Sequence, residues 1–286
     1  IPKLFFMKKI FLIISLTCFK IAVTHAQSWK LLGNTGTNSS INFVGTKDTV
    51  PLIFRVNNQR AGYLTSDSNK AHTIFGYQAL STNSGSRNTA IGYQSIFSNT
   101  LGINNTGIGF RSLYLNTSGS LNTAVGYEAL SKNTSGRYNT AIGVDALHYN
   151  TSGNYNTATG LFSLALNTTG VENTASGANA LENNTIGSYN TATGRFAMRS
   201  NTTGLYNTAI GHSVLYSGTS GSYNTASGYF SMYMNTDGLS NTANGYQSRY
   251  RNSSGDFNTA TGYKSMDSNT IGSYNTALGA SALIGN

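Results

Sequence analysis

Seven aromatic residues stand at fixed spacing in this chain and are its best candidates for binding chemistry. Tyr138, Tyr155, Tyr189, Tyr206, Tyr223, Phe257 and Tyr274 each immediately precede an Asn-Thr pair, at intervals of 17 residues or a multiple of it. An exposed stripe of rings offers large, rigid contact area to a glycan or a partner protein. The competing reading of the same column is ring stacking between successive units, which stabilises the chain and binds nothing.

Groups for acid–base or nucleophilic chemistry do not converge in the sequence. His72, His148 and His212 share no motif and read as variable surface positions, because a catalytic site needs several groups in one place. Glu128 and Asp145 occupy variable positions of consecutive units, and no spacing for a catalytic carboxylate pair or a metal cage is evident. Runs such as Gly-Ser-Tyr-Asn lack the Lys-Ser/Thr of a phosphate loop, and the calcium-binding Gly-Gly-x-Gly-x-Asp nonapeptide is absent. The chain is therefore not read as an enzyme, and no catalytic residue, cofactor or metal is assigned. A second regular column, Thr89 through Thr276, raises ice binding. Its Thr-x-Thr form occurs only at Thr157/Thr159, Thr191/Thr193 and Thr259/Thr261. The other reading is that Thr suits a strand and makes ladder hydrogen bonds.

What must position these columns is a repeat. Twelve Asn-Thr pairs, from Asn88 to Asn275, recur every 17 residues; eleven continue with Ala, the exception being Gly107. The unit reads Asn-Thr-Ala-x-Gly-x-x-Ala/Ser-Leu-x-x-Asn-Thr-x-Gly-x-x. A strict short period implies stacked copies of one small structural unit. Seventeen residues are too few for a helix pair and suit one coil of a parallel β-solenoid. At about 4.8 Å per coil, twelve coils span roughly 58 Å. Asn-Thr-Ala-x-Gly is the expected strand, with Asn, Ala and Gly on one side and Thr and x on the other. The ninth position is apolar in eleven of twelve units, Arg249 being the exception, and forms the expected core column. The second Gly, Gly102 to Gly272, is expected at a turn needing positive φ. The Asn column ahead of it, broken only by Gly218, is expected to form a side-chain ladder. Propensity leaves room for one short helical turn per coil, for example over residues 127–132. Burial per unit is thin, so either ladders carry the stability or chains associate laterally. The variable x column and the Tyr-rich sixth position (Tyr93, Tyr127, Tyr229, Tyr246, Tyr263) are the candidates for such a face.

Around this array, residues 1–26 read as a secretory signal peptide: Lys8 and Lys9, an apolar run from Ile10 to Phe19, then Thr24-His25-Ala26. Residues 1–6, before Met7, read as upstream translation. Cleavage at residue 26 removes the only Cys and leaves 14 Lys and Arg against 9 acidic residues, a thin +5. That balance excludes a nucleic-acid surface, the lack of Cys excludes disulfides, and no membrane-spanning segment remains. Residues 27–70 hold three short apolar runs, Ile41–Val44, Leu52–Val56 and Ala61–Leu64, and read as a β cap on the first coil. Residues 71–286 are the solenoid; the chain stops at the twelfth position of a unit and is read as truncated downstream.

Asn-Thr-Ala-Ile-Gly at Asn88–Gly92, Asn139–Gly143 and Asn207–Gly211, with Ile-Gly-Tyr-Gln-Ser-Ile at Ile91–Ile96, resembles the head repeats of YadA-like trimeric autotransporter adhesins. It is more similar still to the Asn-Thr-Ala-Ile-Gly repeats of Bacteroidota surface proteins and some phage tail-fibre proteins. The resemblance spans about residues 28–286; the family's repeat is typically 14 residues, against 17 here. It implies a left-handed β-roll, a parallel homotrimer, and a secreted or cell-surface place at the tip of a fibrous adhesin, joined to the outer membrane through a missing C-terminal region. The resulting expectation is an adhesin-like rod giving multivalent attachment to a host, surface or glycan. The alternatives are a structural spacer or phage-fibre shaft, and an ice-binding solenoid.

Overall fold

The backbone hydrogen bonds of this chain run between coils. In the computed structural model, which describes residues 44–285 apart from 46, 49, 66, 68 and 69, Thr140 N donates to Asn156 O, Gly143 N to Val125 O and Leu147 N to Ser163 O. The same pattern recurs with a shift of 17 throughout. The signal peptide and the Ile41–Phe43 part of the first apolar run lie outside the described residues, while Val44 sits in a bend.

Among the described residues one sheet of 15 strands results, with strands adjacent in chain order. Strands β1 (Leu52–Val56) and β2 (Gln59–Leu64) form an antiparallel hairpin. Asn57 and Asn58 join them at φ 47° and 56°, the two positive values that a two-residue turn matching strand twist requires. Strand β2 pairs antiparallel with β3 (Thr73–Phe75). The hairpin thereby occupies the edge that the parallel stack would otherwise leave open. From β3 onward every pairing is parallel and in register, through β4 (Thr89–Ile91) to β15 (Thr276–Leu278). Thr lies over Thr and Ala over Ala, as at Thr191↔Thr208 and Ala192↔Ala209. The fold is all-β, a parallel β-solenoid of about twelve 17-residue coils.

The alternation expected along each strand is present: Asn and Ala are buried, and Thr and x face outward. Leu113, Leu130, Leu147, Leu164 and Leu181 of the ninth column are fully buried beside the Ala column. The remaining interior is polar. Asn105 and Asn116 both donate through Nδ2 to Gly119 O, each at 2.9 Å. Asn116 Nδ2 also donates to Asn99 Oδ1 at 2.8 Å, and Asn122 N to Asn105 Oδ1 at 3.1 Å. Two Asn columns thus clamp one carbonyl per coil and bond to the coil before. Buried amides are tolerable because nearly every donor and acceptor in these columns has a partner.

Two expectations are corrected. No helix forms among the described residues. The seventh, ninth and seventeenth positions take positive φ instead, for example Glu128 at 49°, Leu130 at 53° and Tyr138 at 58°. Alternating the sign of φ points successive N–H groups to the coils above and below, so Glu128 N donates to Phe110 O and Leu130 N to Ala146 O, both at 2.9 Å. Helical i→i−4 bonds would forfeit these. The second Gly of the unit does not have positive φ; the first one does, as at Gly143 with φ 137°. The second is required for space: a Cβ on Gly136 would stand 2.4 Å from Asn133 Oδ1 and 2.5 Å from Gly153 O. It closes on the Asn ladder and the next coil.

Candidate functional site

The seven aromatic residues of the stripe lie at the seventeenth position, the corner preceding each buried Asn. All are exposed, from 42% at Tyr189 to 79% at Tyr274. They form three stacks. Tyr138 and Tyr155 have ring centroids 4.7 Å apart and nearly coplanar. Tyr189, Tyr206 and Tyr223 stack at 4.7 and 5.2 Å, and Phe257 and Tyr274 at 5.1 Å. Glu172 and Ser240 occupy the column between stacks. Ring spacing equals coil spacing, so stacking within the chain covers most ring faces. Edges and phenol hydroxyls remain exposed, and rings lack a stacked neighbour on one side beside Leu121, Glu172 and Ser240 and at Tyr274, the most exposed of the seven. A shallow cavity of about 430 Å3 opens at the first interruption, lined by Tyr155 and Glu172.

Other aromatic columns run alongside. At the sixth position Tyr93, Phe110 and Tyr127 stack at 5.2 and 5.0 Å, and Tyr229, Tyr246 and Tyr263 at 5.6 and 5.3 Å. At the tenth, Tyr216, Tyr233 and Tyr250 stack at 5.0 and 5.3 Å. Burial and the neighbouring Tyr216 and Tyr250 raise the Tyr233 phenol above its ordinary pKa. This tenth column was missed in the sequence, although its members also stand 17 apart. The Thr89–Thr276 column lies on the outer face of the sheet, and none of its hydroxyls is hydrogen-bonded within the described residues. Ladder bonds come from the other Thr column, where Thr117 Oγ1 donates to Thr134 O at 2.8 Å.

A cluster of ionisable groups forms where the sequence showed no convergence. Glu128 and Asp145 hold the seventh position of consecutive coils, so register stacks them one above the other. His148 follows Asp145 by three residues and reaches back across the corner. His148 Nδ1 lies 3.1 Å from Asp145 Oδ1 and 3.5 Å from Glu128 Oε2. It is also 3.3 Å from the Glu128 carbonyl oxygen. The carboxylates are half-buried and His148 is only 8% exposed. They border a cavity of about 360 Å3 with Tyr149, Phe162, Leu166 and Glu182. Glu182 is neutralised by Arg199, whose Nε donates to Glu182 Oε2 at 2.6 Å and whose Nη1 donates to Tyr216 Oη. The Glu182 bond is the main cause of the raised Arg199 pKa. The signal that could have found the cluster is arithmetic: 128 and 145 differ by one period. His72 and His212 join no such group; His72 sits in the first coil, and His212 stacks on Tyr229 at 5.4 Å.

Comparison of the chain with protein-family models, curated proteins and solved structures gave no match. Among the described residues no helix is long and apolar enough to cross a membrane.

Proposed function

We propose that the chain is an exported, adhesin-like module whose solenoid presents repeated side chains for multivalent attachment to a surface, glycan or protein. The observation that carries this reading is the exposed, stacked stripe from Tyr138 to Tyr274, held at coil spacing by a rigid backbone. Each edge or hydroxyl contact is weak, but many of them fixed on one body convert later contacts into intramolecular events. The interruptions at Glu172 and Ser240, and the end of the last stack at Tyr274, leave ring faces unstacked for a sugar or aromatic group to meet.

Lateral assembly belongs to the same reading. Ile91 and Ile108 are each 37% exposed and Ile142 is 42% exposed on the outer sheet face, beside Tyr93 at 42% and Tyr127 at 50%. This apolar strip suits a contact between copies of the chain, three by the adhesin resemblance. The test uses purified residues 27–286 and a variant with Tyr189, Tyr206 and Tyr223 changed to Ser. Attachment of coated beads to cells or glycan arrays should fall at least about tenfold, because avidity multiplies the loss of each contact. Light scattering on both proteins should give the mass of a trimer. Unchanged attachment rejects the adhesive stripe and leaves a spacer or fibre shaft. A stable monomer rejects the trimer. The unbonded Thr hydroxyls on the sheet face favour ice binding as a second reading, which a lack of thermal hysteresis at high concentration removes.

A further inference from the structure

We propose that Glu128, Asp145 and His148 form a binding site for one divalent transition-metal cation of the Zn(II) class. One ligand atom from each side chain lies within 4.8 Å of the other two. The separations from His148 Nδ1, 3.1 Å to Asp145 Oδ1 and 3.5 Å to Glu128 Oε2, are close to what such an ion needs. Bonds of about 2.0–2.2 Å in a tetrahedral arrangement place neighbouring ligand atoms roughly 3.3–3.6 Å apart.

The cluster gathers more oxygen ligands around His148 Nδ1 than a single proton can serve. Three oxygens surround one ring nitrogen: Asp145 Oδ1, Glu128 Oε2 and the Glu128 carbonyl. A nitrogen carrying one proton can direct it to only one of them. A cation bound by deprotonated Nδ1 and both carboxylates engages the side chains together. Charge points the same way. Stacked carboxylates repel, and among the described residues neither has a Lys or Arg within ion-pair distance, whereas Glu182 in the same cavity has Arg199. His148 is a buried polar side chain aimed at this pair.

The ligands are also held in place before any ion arrives. Asp145 N donates to Tyr127 O at 2.9 Å, and Lys132 N donates to His148 O at 2.9 Å, tying the two coils together on both sides of the cluster. Precision of this kind is what a metal site on a rigid scaffold requires. Imidazole with two carboxylates suits Zn, Mn, Fe, Co or Ni; Ca(II) seeks six to eight oxygens. The three side chains border the cavity beside Phe162 and Leu166, which has room for water or an oxygen-bearing ligand as a further partner of the ion.

The full chain, stripped with EDTA, is titrated with Co(II) followed by visible absorption, then with Zn(II) in competition. The expected result is one saturable Co(II) per chain with a tetrahedral ligand-field spectrum, displaced by Zn(II). Glu128→Gln and Asp145→Asn, which keep shape and remove the like-charge repulsion, should each weaken binding at least about tenfold, since even outer partners of a metal site are worth 10–100-fold. His148→Ala should abolish the spectrum, with circular dichroism confirming that each variant is folded. The proposal is overturned by an absence of saturable binding in the wild-type chain, or by unchanged affinity and stoichiometry in the three variants. The latter would place the ion away from this cluster.

Discussion

His72 stands where every later coil has Asn. Its Nδ1 accepts a hydrogen bond from Asn88 N at 3.2 Å, the same bond that Asn88 Oδ1 accepts from Asn105 N at 2.9 Å. The imidazole therefore starts the ladder by imitating an amide oxygen, and it can do so only while Nδ1 is unprotonated. Burial pushes its pKa below the ordinary histidine value, and Lys70 and Arg60 add to the depression. The unfolded chain then binds a proton more readily than the folded one, so His72's contribution is complete above about pH 6.5 and is lost below it, as pH falls through the lower pKa of the folded state. His72→Asn restores the column residue and removes the titration. Urea midpoints of wild type and variant between pH 7.5 and 5 should diverge, with the wild type losing more. Parallel curves would show that His72 is not linked to stability.

Coils constrain one another in pairs, and the one break in the Ala column shows how. Gly107 replaces Ala in β5 (Thr106–Ile108), and a Cβ there would stand 2.6 Å from Ser95 Oγ and 2.7 Å from Ile96 Cγ1. Ser at the eighth position coexists with Ala elsewhere: Ser231 Oγ donates to Ala243 O, and Ser248 Oγ to Ala260 O. What differs is Ile96, the only Ile in the ninth column, whose branch at Cβ fills the space the next Ala needs. Gly107→Ala alone should destabilise by roughly 1–3 kcal/mol, the usual cost of overpacking. Combined with Ile96→Leu it should cost much less. A double-mutant cycle by thermal melting measures the coupling, and strict additivity would disprove the pairing.

Across the whole array the core is continuous until Arg249. Buried apolar residues from Ile74 to Ala243 form one cluster, while Ala260, Met266 and Ala277 form a separate one. Arg249 lies between them, fully buried in the ninth column. Its Nη2 donates to Gly255 O at 3.2 Å, but among the described residues its Nε and Nη1 have no partner, and neither has Asn252 Oδ1. Burial pulls its pKa down to about 10, against the attraction of Asp256, so the charge is retained at neutral pH. A buried, largely unpaired charge is costly. It also disturbs the ladder: Arg249 Nη2 takes the Gly255 carbonyl that the column Asn holds in other coils, and Asn269 Nδ2 keeps its own-coil bond to Gly272 O at 3.5 Å but does not reach Asn252 Oδ1. Arg249→Leu should stabilise the chain by roughly 1–4 kcal/mol. Hydrogen exchange should show residues 258–285 opening independently in the wild type and joining the main cooperative unit in the variant. Equal protection across residue 249 in the wild type would count against a boundary there.

The solenoid, its strands, the buried Asn and Ala columns and the aromatic stripe were legible because a fixed period turns sequence position into spatial position. Residues 17 apart must stack once one coil is known to stack. What the period could not reveal was how each corner turns. Helical and alternating φ both fit Gly-x-x-Ala-Leu, and competition for N–H groups between coils decides for alternation. For the same reason the second Gly was assigned to backbone conformation, when its cause is contact with a neighbouring Asn amide that only the stacked structure supplies. The cluster of Glu128, Asp145 and His148 needed both kinds of information. The period stacks the two carboxylates, but only the corner's course brings His148 within 3.1 Å of one and 3.5 Å of the other. Sequence alone determined which residues repeat and therefore stack. The tertiary structure decided which variable residues meet, because that depends on the direction in which the chain leaves each strand.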